Sequence, residues 1–544
     1  MSWNPPMGLR QNEQTFRVGA SDAEAVEDDR NCRLHLALKV RPRTIPETGD
    51  WLLRKEPFAL GVLTDAIKAV NGRLLGGMEL WDAVEKSMAM LNQEQHTGVR
   101  NFLRHALDCF FQYHEAREEQ LGRLYLIDTF PGFDKGRSAR LTAWGALYES
   151  ANGDREMRRL RYGATHDELT AWAYVAAHVA AETTGRYAPV RIWVTEVSLE
   201  TGVERHLING ISRSEAASLY QQHARPAVLA ATAGIEAKPG RNCSSCKLAG
   251  ACRALIPAPG FIQTEMPGLW TRSVSALDLE RYEKCPSQWH MERAAHLPQT
   301  REGNEQQLRG AAVHRWMAAA HQRETPCGAA DLPVPGDGEP AVGNEVLDRT
   351  EYALAYPYLL SHLECCPRKD PLELVASEQT LYAYDRVSDV VLATKADAVW
   401  RRGDTLVIRE VKTTQDQLSE AVDGDSIFDR FFAVAWDLVM LDQALIHHFH
   451  AARGQVQLEV LTATGGRVFT FDTDDTDLMK MARGRHGRLA RSWLTDIRWE
   501  PTPYVGCPTC TVRRWCDARD IWTERPATSS SRPGAELSDD TPPF

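Results

Sequence analysis

The chain has no uninterrupted apolar run of about 18 residues, the minimum for a spanning helix, so no membrane segment is expected. Met1 to Asp28 is polar and acidic without an apolar core, which does not fit a secretory signal, and a cytoplasmic location is the default expectation. There is no G-x-x-x-x-G-K-[ST] sequence, hence no P-loop ATPase. Nothing reads as a base-recognition module such as a recognition helix or zinc finger. A basic excess is missing too. The net charge of -11 argues against nonspecific coating of nucleic acid, because phosphate contacts need Lys and Arg. With 43% hydrophobic and 25% charged residues, the composition is that of a globular protein, neither fibrous nor dominated by disorder.

At 544 residues the chain exceeds one core, and roughly 150 residues per domain allows about two to four. Positive charge is concentrated at Arg155 to Arg161, at Arg401-Arg402 and along Arg483, Arg485, Arg488 and Arg491. These read first as solvated helix faces or hairpins, and they permit DNA binding without showing it.

Twelve cysteines in so long a chain do not read as a disulfide framework, which belongs to short secreted sequences. Eight of them form two matching brackets. Cys243-Ser-Ser-Cys246 with Cys252 and Cys507-Pro-Thr-Cys510 with Cys516 share the spacing C-x2-C-x5-C. Cys32 precedes the first triplet by 211 residues and Cys285 precedes the second by 222. Cys109, Cys327, Cys365 and Cys366 are left over and read as buried or incidental thiols.

Each bracket opens on an acidic helical pattern, with Ser21 and Ser275 as expected N-caps. Hairpins are expected at Val190 to Ile208 and Val456 to Phe471, followed by helices at Ser214 to Ala231 and Asp475 to Leu494. The chain is therefore read as an internal duplication: 14–255, a linker at 256–269, a second copy at 270–523, and a disordered tail at 524–544.

The copies differ in chemistry. In the second, Val390 to Trp400 and Thr405 to Lys412 read as a hairpin turning at Arg401-Arg-Gly-Asp404, with a long helix expected at Ile427 to His450. Residues two apart on a strand share a face, so Glu410 and Lys412 project together and Asp397 can reach them. Two carboxylates and a lysine suit a divalent cation with hard oxygen ligands. His314, on a helix at Ala311 to Ala320, is a further candidate ligand. In the first copy, matching Gly153-Asp154 to Gly403-Asp404 sets Gly145 opposite Asp397, Leu160 opposite Glu410 and Tyr162 opposite Lys412. None of the three can do the chemistry.

Ser273 to Cys516 resembles the RecB-like branch of the PD-(D/E)XK nucleases, and within it the iron-sulfur type that includes the CRISPR-associated four-cysteine exonucleases and the AddB nuclease domain. The likeness lies in Leu279-x-x-Tyr282-x-x-Cys285-Pro, Gly310-Ala-Ala-Val-His314, Lys395-Ala-Asp397 and Arg409-Glu410-Val411-Lys412-Thr413-Thr414. It implies an α/β fold of two tandem restriction-endonuclease-like lobes, each a mixed sheet flanked by helices and closed by four cysteines. It further implies His314, Asp397, Glu410 and the Val411 carbonyl as ligands of Mg2+ or Mn2+, Lys412 as the catalytic lysine, and Glu378 as a supporting acid. Where that family carries Q-x-x-x-Y, this chain reads Phe432-Ala-Val-Ala-Trp436.

Four thiolates hold either zinc or a [4Fe-4S] cube, and ligand type alone does not choose. The resemblance implies a [4Fe-4S] cluster on Cys285, Cys507, Cys510 and Cys516, and a second on Cys32, Cys243, Cys246 and Cys252. The expected function is a metal-dependent deoxyribonuclease, an exonuclease on single strands or DNA ends, acting in repair or phage defence. Its first half would be a pseudo-nuclease for structure, DNA guidance or partner docking, and a separate helicase would supply unwinding. The competing expectations are a noncatalytic iron-sulfur scaffold that binds DNA or a helicase and a zinc-stabilised DNA-binding regulator.

Overall fold

The computed structural model describes residues 6–11, 16–41, 44–46, 59–90, 95–136, 138–166, 168–300, 304–336, 340–342, 345–415 and 424–520; the tail expected at 524–544 lies outside them. Among the described residues no helix is long and apolar enough to cross a membrane.

In the N-terminal half, β1 (Phe16–Gly19) runs into α1 (Ala20–Ala25) and then α2 (Arg33–Lys39). The long α3 (Thr97–Leu121) precedes β2 (Leu124–Asp128), β3 (Gly132–Lys135), β4 (Ala139–Thr142), β5 (Ala146–Ser150) and β6 (Asp154–Arg161). Next come α4 (Ala171–Glu182), β7 (Arg191–Ser198), β8 (Glu204–Ile211), α5 (Arg213–Leu219), a π turn at Tyr220–Ala224 and α6 (Arg225–Ala233). The sequence of α4, AWAYVAAHVAAE, is apolar on every side, as a helix enclosed by protein requires.

The C-terminal half repeats the plan. It contains β9 (Ile256–Pro257), β10 (Arg272–Ser275), α7 (Ala276–Lys284), α8 (Pro286–Trp289), α9 (Glu305–Ala320) and α10 (Arg349–Cys365). The strands β11 (Glu373–Asp385), β12 (Val390–Arg402) and β13 (Thr405–Thr413) follow. Then come α11 (Gly424–Arg430), α12 (Phe432–Met440), β14 (Arg453–Thr462), β15 (Gly465–Asp472) and α13 (Thr476–Thr495).

Five strands of the seven-stranded C-terminal sheet match the five-stranded N-terminal sheet in order. One runs β8-β7-β6-β5-β2 and the other β15-β14-β13-β12-β11. In each, the third strand from the hairpin edge pairs parallel with the second, and the other pairings along the run are antiparallel. The parallel pair is sealed on both faces, which explains the unbroken run Leu406-Val-Ile408 in β13. A short parallel strand feeds the first helix in both halves, β1 on β4 and β10 on β12. Even the bulge recurs, between Leu126 and Asp128 in β2 and between Leu374 and Ala376 in β11.

Several expectations need correction. Ser275 caps α7 in a capping box with Asp278, but α1 is capped at Gly19, whose N–H donates to Asp22 Oδ2 at 2.8 Å; Ser21 lies inside the helix. The helix expected at Ile427 to His450 is interrupted where Phe431 leaves helical geometry (φ -130°, ψ 72°) and loosens into a π turn at Leu441–Leu445. The segment 256–269 is no slack linker. Its β9 pairs with β11, Phe261 and Ile262 are fully buried in the C-terminal core, and Asp385 accepts the N–H groups of Gly260 and Ile262. Arg155 to Arg161 is not a solvated face either: it is strand β6, with Arg155 and Arg158 buried.

The halves interlock through their cysteine segments. Val512 and Trp515 join the apolar cluster of Phe102 and Phe110 on α3, with Trp515 edge-on to Phe102 at 5.2 Å. Cys243 and Leu255 pack on Val391 of β12. Each large apolar side chain buried at such a seam contributes roughly 1.5–3 kcal/mol.

Candidate active site

The β12–β13 hairpin turns at Gly403, whose φ of +60° fits the left-handed position of a tight turn. Alternation along β13 sends Val411 into the core beneath α9 and α10, and sends Glu410 and Lys412 to the opposite face toward α7 and α12. Lys412 Nζ lies 3.1 Å from Glu410 Oε2. Asp397 reaches across from β12 and accepts the Val411 N–H at 2.7 Å through Oδ2. Its Oδ1 lies 3.2 Å from His314 Nδ1 on α9, and the same nitrogen is 3.1 Å from Glu378 Oε1 on β11. Glu378 (φ +49°) sits in the left-handed region, and Lys395 Nζ holds its second oxygen at 2.8 Å. Thus His314, Glu378 and Asp397 bring their ligand atoms within 4.8 Å of one another.

Burial raises the Glu410 carboxyl to about 7, with Asp397 adding to the rise and the Lys412 ammonium opposing it. Burial also works to raise Asp397, but His314, Lys412 and the Val411 N–H outweigh it and hold that carboxyl at about 2. His314 is pulled down by burial and lifted to about 10 by Asp397 and Glu378. The Lys412 ammonium is likewise disfavoured by burial, yet Glu410 and Asp397 hold it above its ordinary range.

Two acids absent from the sequence reading complete the site. Asp437 on α12 hydrogen-bonds Glu410 and is raised well above the carboxylate range by burial and by Glu410, while its Oδ2 is buried without a partner. Glu280 on α7 accepts the Ala433 N–H and is raised by burial against the pull of Lys412 and Lys284. Asp437 follows Trp436, the end of the Q-x-x-x-Y register, and Trp436 itself donates to Thr394 Oγ1 at 2.6 Å. The available signal was an acid on an otherwise apolar helix.

Residues 273–517 match the family model of the PD-(D/E)XK nuclease superfamily. This stretch is a PD-(D/E)XK nuclease superfamily domain. No curated protein matches the chain. Members of the superfamily are generally nucleases that use divalent metals, and the described members of the candidate site lie within residues 273–517.

The N-terminal half has a different set of side chains at the equivalent places. Ala146 pairs with Arg158 and Ala398 with Arg409, so Arg159 occupies the position of Glu410, Leu160 that of Val411 and Arg161 that of Lys412. This corrects by one residue the register expected from Gly153-Asp154, because the path from Ala146 to Arg158 is one residue longer than that from Ala398 to Arg409. Gly145 does stand at the Asp397 position. Its φ is +143° and an added Cβ would lie 2.2 Å from the Arg158 carbonyl oxygen, so no carboxylate fits there without relaying the strand. Arg159 Nη1 donates to Glu24 Oε1 at 2.9 Å, and Arg161 Nε to Glu196 Oε1 at 2.8 Å. Glu24 is five residues past its cap, as Glu280 is.

The eight bracket cysteines gather as two tetrads with the same backbone cradle. Cys32 and Cys285 each precede a helix and accept an N–H from three residues on, His35 at 3.3 Å and Gln288 at 3.5 Å. Each also accepts from the residue five before the first cysteine of its triplet, Lys238 at 3.3 Å and Thr502 at 3.5 Å. Gly240 and Tyr504, three before, donate to Cys243 and Cys507 at 3.3 Å in both cases. Cys285, Cys507, Cys510 and Cys516 line one small cavity. Cys32, Cys246 and Cys252 share a small apolar cluster, and Cys243 interacts with Cys32 and Cys252.

Proposed function

We propose that this protein is a metal-dependent deoxyribonuclease, an exonuclease on single strands or DNA ends, whose chemistry resides in the C-terminal half. The observation that supports it is the convergence of His314, Glu378, Asp397, Glu410 and Lys412 from one helix and three strands. The donor set fits Mg2+ or Mn2+. Adjacent ligands of an octahedral ion at about 2.0–2.1 Å lie about 3 Å apart. His314 Nδ1 stands at 3.1 and 3.2 Å from the two carboxylates.

His314, Asp397, Glu410 and the Val411 carbonyl would hold the ion, with Glu378 beside His314 and Asp397 as a supporting acid. A bound divalent ion supplies Lewis acidity and a water of lowered pKa. The rest is done by side chains. Lys412 is kept charged by Glu410 and Asp397, so its ammonium can orient the attacking water and offset charge growing on the phosphate. Asp437, pushed toward its neutral form by burial and by Glu410, gives Glu410 a hydrogen bond in place of a further negative charge.

The N-terminal half serves as a pseudo-nuclease for structure, DNA guidance or docking of a separate helicase, since arginines neutralised by Glu24 and Glu196 fill its equivalent site. Cys285, Cys507, Cys510 and Cys516 would hold one [4Fe-4S] cluster, and Cys32, Cys243, Cys246 and Cys252 a second. The repeated N–H to sulfur cradle suits thiolate ligands. The arginine tracks are mostly tied up internally, Arg483 with Asp442 and Arg485 with Glu283 and Asp429, so DNA contacts would concentrate around the site itself.

The deciding experiment is degradation of labelled DNA with Mg2+ or Mn2+ by wild type and Lys412→Ala. Cleavage lost in the variant supports the enzyme. No cleavage by either protein would replace it with the noncatalytic scaffold.

A further inference from the structure

Four side chains outside both tetrads and outside the candidate active site meet at the far ends of two helices. His321 caps the C-terminus of α9, Cys327 lies in the loop beyond, His362 is in the last turn of α10 and Cys366 follows it. All four are buried, and their ligand atoms lie within 4.8 Å of one another. The two Nε2 atoms face each other at 3.1 Å, and Cys366 Sγ is 4.0 Å from that of His321. The Cys327 N–H donates to Cys366 Sγ at 3.4 Å.

We infer that these four residues form a structural zinc site in the C-terminal half. Two imidazoles and two thiols are the Cys2His2 donor set that zinc takes tetrahedrally, and no carboxylate stands among them to suit a harder ion. Glu459 on β14 supplies an independent observation. Its Oε1 lies 2.6 Å from His362 Nδ1, while its Oε2 accepts from Arg409 Nε at 2.7 Å. A carboxylate on Nδ1 fixes the proton there and leaves the Nε2 lone pair free for a metal, the outer partner typical of a zinc-bound histidine. Charge also closes. Two thiolates neutralise Zn2+ and Arg409 neutralises Glu459, leaving no net charge in a buried place.

The spacing, H-x5-C followed after 34 residues by H-x3-C, matches no short zinc-finger pattern, which is why these residues read as incidental in sequence. The site would pin the end of α9 to α10 and, through Glu459, to the sheet. That same helix carries His314 two turns earlier. The inference does not rest on the nuclease reading, because the ion it assigns is structural.

Metal content and zinc-edge X-ray absorption of the full chain, purified anaerobically without chelator, test it. About one zinc per chain is expected, with two sulfurs at about 2.3 Å and two nitrogens at about 2.0–2.1 Å. Cys366→Ser should lose that zinc while iron and sulfide stay unchanged; Cys285→Ser and Lys412→Ala should keep it. Should Cys366→Ser fail to fold, the absorption spectrum of the wild type still decides. A four-sulfur zinc environment, or zinc-free protein in which Cys327 and Cys366 are alkylated or disulfide-linked, would overturn the site.

Discussion

Strands β6 and β13 occupy the same place in two sheets of the same topology, yet one carries Arg159 and Arg161 where the other carries Glu410 and Lys412. Both solve the same physical problem, charge buried beneath a helix. In β6 the charges are cancelled within the protein, since Glu24 and Glu196 pair with the arginines. In β13 acids outnumber bases: Asp397, Glu378, Glu410, Asp437 and Glu280 gather around Lys412, Lys395 and His314, and Glu410 and Asp437 are driven toward their protonated forms. An arrangement with unmet demand for positive charge is what a cation site requires, and a balanced one has no use for a cation.

The largest expected effect separates the two strands. Lys412→Ala or Asp397→Ala should lower Mn2+-dependent DNA cleavage by at least about 10²-fold, whereas Arg161→Ala should leave it within about twofold. Release of labelled nucleotides reads both. Next comes an attempt to erase the difference. Arg159→Glu with Arg161→Lys should not add a Mn2+ site, because Gly145 has no room for the missing carboxylate, and should lower the melting temperature by setting a third acid against Glu24 and Glu196. Manganese titration and thermal unfolding check it. The tetrads should behave alike where the strands do not. Cys32→Ser and Cys285→Ser should each reduce iron from about eight to about four per chain.

Smaller effects sharpen the acidic side. Glu378→Gln removes one of the two carboxylates beside His314 and should weaken Mn2+ binding by about tenfold in titration. The sign of the pH response follows from Glu410. With its folded carboxyl at about 7, a proton competes with metal below that value, so Mn2+ affinity should rise as pH increases through 7. In the metal-free protein the same raised carboxyl makes folding less favourable as pH climbs from about 4.5 to 7, since the unfolded chain ionises first. Asp437→Ala removes the hydrogen bond that a neutral Asp437 gives to ionised Glu410 and should move the affinity curve toward alkaline pH.

What could be read from the sequence was local. The E-x-K strand, its hairpin and the cysteine triplets are short-range patterns whose geometry follows from strand alternation and fixed spacing. Asp437 and Glu280 were missed because they arrive from separate helices and show no period or motif. The His321–Cys366 group was missed for a similar reason, its pairs lying on two helices joined by a long connection. The first-half register slipped because the turn length was inferred from a Gly-Asp match, while backbone pairing of Ala146 with Arg158 set it. The break at Phe431 had no Pro or Gly to announce it.

The crossed seating of the cysteine segments bears on how the chain is made. The pocket around Cys243 is walled by Val391, and the surface of α3 is covered by Trp515. A polypeptide emerging from its N-terminus would have to hold its first tetrad partly uncovered until β12 is synthesised, and its α3 surface bare until almost the last described residues. Completion of either half thus waits on the other, and severing the chain between them should leave two sticky fragments rather than two working ones.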